Sequence, residues 1–320
     1  MEELLNRNRK KTNMKKISKN IIFYIITIVA ATLSSCSDSL FEDGGQNDGA
    51  NIRLAADIEQ LSVMRVNDSG FCDGDMMGVY VVDYEGGKPG TLKPSGNRGD
   101  NVRYTFDESA NKWTGAYDLY WKDKHTPIDV YGYYPFAAPE SIDDYQFEVQ
   151  KDQSKPSADG EMGGYEASDL LFATSKDIQA SNSPISLNFK HIMSKLKIRL
   201  IKGEDFEGDM PTHAQVTIHS TVPTATIDLQ AGVATRYVKG TQQSIIAHQE
   251  SDYIYSAIIV PQRIENRRPL IEVVMKGVSY LYESRFQFKP GTEHLVNFII
   301  SDNPDQVKIE IGGEIQNWGK

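Results

Sequence analysis

The feature that most constrains this chain is a change of phase in its middle. In Asp169 to Leu200, DLLFATSKDIQASNSPISLNFKHIMSKLKIRL, the residues Ile185, Leu187 and Phe189 alternate with Ser186, Asn188 and Lys190. That is the period-2 pattern of a half-buried strand. The alternation resumes with Leu196, Ile198 and Leu200 inward and Lys195, Lys197 and Arg199 outward, so the apolar set has moved from odd to even positions. A slip of one residue turns every side chain to the wrong face. A bulge or short turn at His191-Ile192-Met193-Ser194 is therefore expected to absorb it, giving a long, bent strand in two segments. The polar run Ser175 to Pro184 reads as a linker, which puts a domain junction here.

Alternating segments recur on both sides, separated by turn residues. In the first half they are Met77 to Val82, Val102 to Phe106, Leu119 to Trp121 and Ile128 to Tyr133. The second half adds Ala214 to His219, Ala225 to Leu229, Tyr253 to Val260 and His294 to Ile300, with Val307 to Ile311 last. Leu270 to Met275 and Ser279 to Phe288 form a hairpin pattern across Lys276-Gly277-Val278. No amphipathic helix of three turns is found in the first half. The length of 320 residues exceeds what one core comfortably serves, so the reading is all-β, with two tandem β-sandwich domains at residues 51–182 and 183–320.

The start of the chain reads as an export signal. Lys15-Lys16-Ile17-Ser18-Lys19 is a basic region, and Ile21 to Leu33 is an apolar stretch of 13 residues. A membrane-spanning helix needs about 20, so residues 1–35 are assigned as a signal peptide, with Met14 an alternative start. Leu33-Ser34-Ser35-Cys36 resembles a lipobox, in which small residues admit a peptidase and the Cys36 thiol takes a diacylglyceryl group. Two acyl chains suffice for stable anchoring where one does not. The Gly-, Asp- and Asn-rich residues 36–50 then form a lipidated flexible tether. Cys72, the other cysteine, is expected to be a buried or semi-buried thiol without a role.

The first 35 residues hold seven basic and two acidic groups. The rest therefore carries 27 basic against 42 acidic groups, a formal charge of −15, which makes nucleic acid a poor partner. No His-Glu-x-x-His, Gly-x-Ser-x-Gly or Walker A pattern occurs. The six histidines are scattered; His191 is the best placed, and it is expected to bond across the phase break rather than catalyse. Asp73, Asp75, Asp143 and Asp144 lack the spacing of a calcium loop. Trp113, Trp121, Tyr131 and Tyr133 are read as core and sheet-face residues rather than a sugar-stacking platform. The reading is a non-enzyme with no cofactor and no metal.

Taken in order, several stretches resemble the fimbrillin-like proteins of Bacteroidales-type Gram-negative bacteria. They are GFCDGDMMGVYVV, then Trp with LYW, IDVYGYYPF, DLLFA with SLNFKHIMSKLKIRL, AIIVPQ, FQFKPGTEHLVNFIIS and GGEIQNWGK. They run from about Phe71 to Trp318. The resemblance implies sandwiches of transthyretin-like topology in a surface lipoprotein of the outer membrane. Its role would be that of a structural or accessory subunit (anchor or tip) of adhesive fimbriae. The acid-rich leader after Cys36 is similar to surface-export signals of this group. Implied partners are outer-membrane lipid through acylated Cys36, other fimbrial subunits by strand addition, and a host or bacterial surface ligand. In polymerising relatives an arginine-specific protease removes an N-terminal strand, and the groove accepts a strand from the next subunit.

Arg53 and Arg65 are the only basic residues between Cys36 and Lys88, and so the only such sites there. Members often carry Thr-Arg where this chain has Met64-Arg65, which favours an uncut, lipid-retaining protein. At the other end Val307 to Ile311 is able to pair along a sheet edge, with Gly312-Gly313 as a hinge. It reads equally as the last strand of its own domain. Two alternatives are a monomeric glycan-binding lipoprotein for nutrient uptake, which needs an exposed aromatic platform, and a hydrolase, which needs clustered carboxylates in a cleft.

Overall fold

The computed structural model describes residues 50–58, 70–158, 160–316 and 318. The described residues form one compact unit. Its strands, in chain order, begin with β1 (Leu54–Ile58), β2 (Met76–Asp83), β3 (Gly99–Asp107), β4 (Lys112–Gly115), β5 (Ile128–Tyr134) and β6 (Tyr145–Glu148). Then come β7 (Leu171–Ile178), β8 (Ile185–His191), β9 (Ser194–Lys202), β10 (Gln215–Thr221), β11 (Thr224–Asp228), β12 (Val233–Arg236) and β13 (Gln243–Ile246). The last are β14 (His248–Ser251), β15 (Ile254–Ile259), β16 (Gln262–Met275), β17 (Val278–Phe288), β18 (Thr292–Ile300) and β19 (Lys308–Gln316). The helical content of the described residues is two 3₁₀ turns, Glu166–Ser168 and Pro304–Gln306.

These strands build four sheets. Seven strands run β1-β8-β7-β5-β2-β3-β4, five run β14-β15-β9-β18-β19, four run β13-β10-β16-β17, and three run β12-β11-β6. Leu196, Ile198 and Phe298 of the five-stranded sheet share one buried cluster with Val216, Ile271 and Val273 of the four-stranded sheet. That is the core expected when two apolar sheet faces close on each other. Tyr80, Tyr131 and Tyr133 bring one face of the seven-stranded sheet into the same cluster, beside Phe147 and Ile227 of the three-stranded sheet.

The other face of the seven-stranded sheet is also buried, through Met77, Val79, Val130, Leu187 and Phe189. Gly132 makes room there: a Cβ on it would stand 2.9 Å from the Phe189 ring and 3.1 Å from Leu187. With both faces covered, β5 is buried at every position except Tyr134. That is why its sequence mixes apolar residues with aromatics instead of alternating cleanly.

The phase change is where the chain leaves one sheet for another. β8 buries Ile185, Leu187, Phe189 and His191 in the seven-stranded sheet, whereas β9 buries Leu196, Ile198 and Leu200 in the five-stranded sheet. The break at Ile192-Met193 is thus a crossing between sheets rather than a bulge within one strand. The linker expected at Ser175 to Pro184 is shorter than its polarity suggested. β7 continues through Ile178 because β5 pairs with it, Val130 opposite Ser175 and Ile128 opposite Ile178. β7 and β8, on either side of the junction drawn at 182/183, belong to the same sheet.

The β16–β17 hairpin closes as expected, Met275 opposite Val278. Lys276 and Gly277 both have positive φ, 49° and 78°, the pair a two-residue turn of this kind requires. Cys72 departs from expectation. It is exposed, because Phe71 takes the inward position and its ring packs on Phe106, Trp113, Tyr134 and Phe189. Partial desolvation, with Asp75 nearby, raises the Cys72 pKa, so the thiol is a weak nucleophile at neutral pH.

Candidate assembly site

Two margin strands, β1 and β19, are the candidates for pairing with other chains. β1 lies parallel to β8 with Leu54 opposite Ile185, Ala56 opposite Leu187 and Ile58 opposite Phe189. The apolar rows of the two strands therefore share a face, which fixes the register. Ile52, Leu54, Ala56 and Ile58 alternate in the sequence, a signal that the acidic, Gly-rich tether before it obscured. Just ahead of β1 the backbone is bonded on its other side: Ile52 N donates to Leu119 O at 2.7 Å, and Trp121 N donates to Ala50 O at 3.0 Å. Ile52 and Leu54 are both buried.

Arg53 sits between them with an exposed side chain, but its carbonyl accepts Ile185 N at 2.8 Å. Its peptide bond is thus held within the fold. Cys36 and Arg65 lie outside the described residues, as does Met64.

β19 runs antiparallel to β18 at the margin of the five-stranded sheet, with Ile309 opposite Phe298 and Ile311 opposite Val296. The register shifts between Leu295 and Val296. Gly312, where a Cβ would stand 2.9 Å from the Leu295 side chain, and Gly313, at φ 137°, form this bulge. Gly312-Gly313 is accordingly a bulge inside a strand that continues to Gln316, not a hinge after its end. The bulge moves Ile315 to the face of Glu293. Ile311 is 74% and Ile315 53% exposed.

What ties this strand down lies at its end and on its flank. Trp318 is buried and stacks on His191, ring centroids 4.5 Å apart and 22° between planes. His191 Nδ1 is 2.9 Å from the Asp169 carboxylate, so the histidine bonds to the segment ahead of the neighbouring β7 and not, as its position suggested, across the phase break to β9. Glu314 pairs with Lys289 at 2.5 Å and with His294 at 3.4 Å.

The five-stranded sheet is also stapled by charge. Lys195, buried on β9, lies 3.3 Å from both Glu250 and Glu293, while Glu250 also takes Lys197 at 2.8 Å and the Ser256 hydroxyl at 2.6 Å. Burial alone would raise the Glu250 pKa, but Lys195, Lys197 and Ser256 outweigh it and hold the group at about 2.

Other candidates resolve into structural roles. Trp113, Trp121, Tyr131 and Tyr133 are all buried, so they offer no exposed platform. Asp75 accepts Cys72 N and the Tyr134 hydroxyl, Asp73 accepts Glu108 N, and Asp143 accepts the Ser141 hydroxyl. Asp144 accepts from the Gln146 amide. These are loop-ordering contacts. Among the described residues no group of His, Cys, Asp and Glu is arranged to hold a metal ion.

The sequence profile of the fimbrillin-like family matches residues 65–318. Among solved structures, a candidate cell adhesion protein of Bacteroides ovatus superposes with a TM-score of 0.66 at 16% identity, covering 84% of this chain and 98% of its own. A second, from Bacteroides uniformis, gives 0.61 at 18% identity over 85% and 99%. A fimbrial protein of Bacteroides vulgatus gives 0.51 at 12% identity over 83% and 99%. These likenesses establish the common fold. No curated protein matches the chain.

Proposed function

The chain belongs to the fimbrillin-like family, and from that premise we propose that it is a lipid-anchored, non-enzymatic subunit of adhesive fimbriae, retained uncut at the outer membrane. Cys36 would carry the lipid and residues 37–50 would space the folded unit from the membrane. The observation that carries the reading is the way residues 50–58 are built in. Their backbone bonds to β8 on one side and to the Leu119–Trp121 segment on the other, so the tether leads directly into a strand of the core.

Arg53 is a poor protease site in this setting, because proteolysis needs an extended, unpaired segment and its carbonyl is paired. Arg65 is the remaining basic site before Lys88. A cut there would remove the lipid and β1 together, opening the margin of β8 to another strand. With Met64 before it, Arg65 stays intact, and the protein stays on the membrane as a base or accessory component. β19 is the margin through which the next subunit is met, by main-chain pairing with side chains alternating between pockets.

Electron microscopy of the cell surface with labelled antibody tests the assignment. Label at filament bases or on the membrane is expected. Continuous label along filaments would make this a shaft subunit instead.

A further inference from the structure

β1 and β4 are the two margins of the seven-stranded sheet, and they face each other across a cleft of about 410 Å³. Clefts that take small ligands commonly run about 300–1,000 Å³. Cα atoms of β1 and β4 approach to within 8 Å. A strand inserted between them needs about 9–10 Å, two inter-strand spacings. The cleft is therefore too narrow for an extended peptide paired on both sides, and its occupant is smaller.

Its walls carry two kinds of group. Tyr117, 53% exposed, stands in the cleft wall, whereas Tyr104 and Trp113, which also line it, are buried. Asp57 on β1 and Asn111 and Asp118 beside β4 supply carboxylate and amide groups, with Asp118 held in place by the Asn51 amide at 3.1 Å and the Tyr120 hydroxyl at 3.4 Å. A sugar ring is divided in the same way. Its C–H face packs on an aromatic ring, and its hydroxyls both donate and accept. An apolar ligand would leave those polar groups without partners, and the charges of the lining balance, Asp57 and Asp118 against Arg53 and Lys112, which suits a neutral ligand.

We infer that the β1–β4 cleft binds a short neutral oligosaccharide, with Tyr117 as the stacking surface and Asp57, Asn111 and Asp118 holding ring hydroxyls. One wall is β1, so the site rests on the reading of an uncut chain and is lost with a cut at Arg65. Adhesion and retention on the membrane are then properties of the same intact form.

The test is an array of neutral hexose- and N-acetylhexosamine-terminated oligosaccharides, probed with the purified full chain in detergent, then calorimetry with the tightest binder. The wild type is expected to bind. Tyr117→Ala is expected to weaken binding about tenfold, the loss of one stacking contact, while Tyr117→Phe keeps it. Val238→Ala serves as control, since Val238 is 85% exposed and lies outside the cleft. Silence of the wild type on the array overturns the inference, as does undiminished binding by Tyr117→Ala or capture of extended peptides in place of sugars. Binding is read on purified protein, so its failure is distinct from a failure of the fimbrial assignment, which is read on cells.

Discussion

At one margin of the seven-stranded sheet, β1 sets Leu54, Ala56 and Ile58 in register with the buried row of β8. At one margin of the five-stranded sheet, β19 pairs with β18 while nearly all its side chains stay in solvent. Both are margin strands, yet β1 is held along its length by packing and β19 by main-chain bonds, the Glu314 pairs on its flank and one buried indole at its end. On the proposed assignment the difference separates two jobs: removing β1 would uncover core and open a groove, whereas β19, with most of its side chains in water, would be presented to a partner, as long exposed margins are pairing templates.

Truncating the row on which β1 rests is the most severe way to break this contrast. Phe189→Ala is expected to cost about 3–5 kcal/mol, and hydrogen exchange should rise at Leu54–Ile58 along with the core. Protection of β1 that persists in this variant would mean that its hold comes from elsewhere. Trp318→Ala is expected to cost about 3 kcal/mol, the low end for a buried indole, and to act locally. Exchange should rise across Lys308–Gln316 while β1 keeps its protection, in keeping with sub-global opening. A uniform loss over both sheets would contradict the picture of an end-anchored strand.

Acid sharpens the contrast from another direction. The Glu250 pKa, about 2 in the folded protein, lies below its ordinary value of 4.5. Its stabilisation is therefore complete above about pH 4.5 and is lost as pH falls toward 2. Glu250→Gln is expected to cost about 2 kcal/mol at pH 7 and much less at pH 3, read from denaturant midpoints at the two values. In the wild type, exchange at β19 and its sheet should rise with acid before exchange at β1. The smallest effect belongs to Ile311→Ser, within about 0.5 kcal/mol, because the side chain it removes is largely in water. A loss of 2 kcal/mol or more there would place Ile311 in a packed contact.

Much of this was legible in the residues. The move from odd to even apolar positions after Phe189 marked a break, read as a bulge in one strand where the chain in fact crosses between sheets, and Lys276-Gly277 marked a tight hairpin, because both are local signals. β1 had its own signal in Ile52, Leu54, Ala56 and Ile58. Two alanines and an adjoining run of Gly, Asp and Asn made it weak against the tether. Pairings between distant segments left no such mark. β6 joins β11 across about 80 residues, and Gln153 bonds the backbone of Ile258 through its side-chain amide, neither of which periodicity encodes. The docking of Trp318 on His191 is of the same kind. So is the β1–β4 cleft, since its walls come together only when the sheet has formed.

The N-terminus of the surface-exposed protein tests the assignment most directly. Intact mass and N-terminal sequencing of material released from cells are expected to give a blocked, acylated Cys36. A free N-terminus at Val66 would contradict it. The lipid and β1 would then have been removed together, and the chain would be a processed subunit with its β8 margin open.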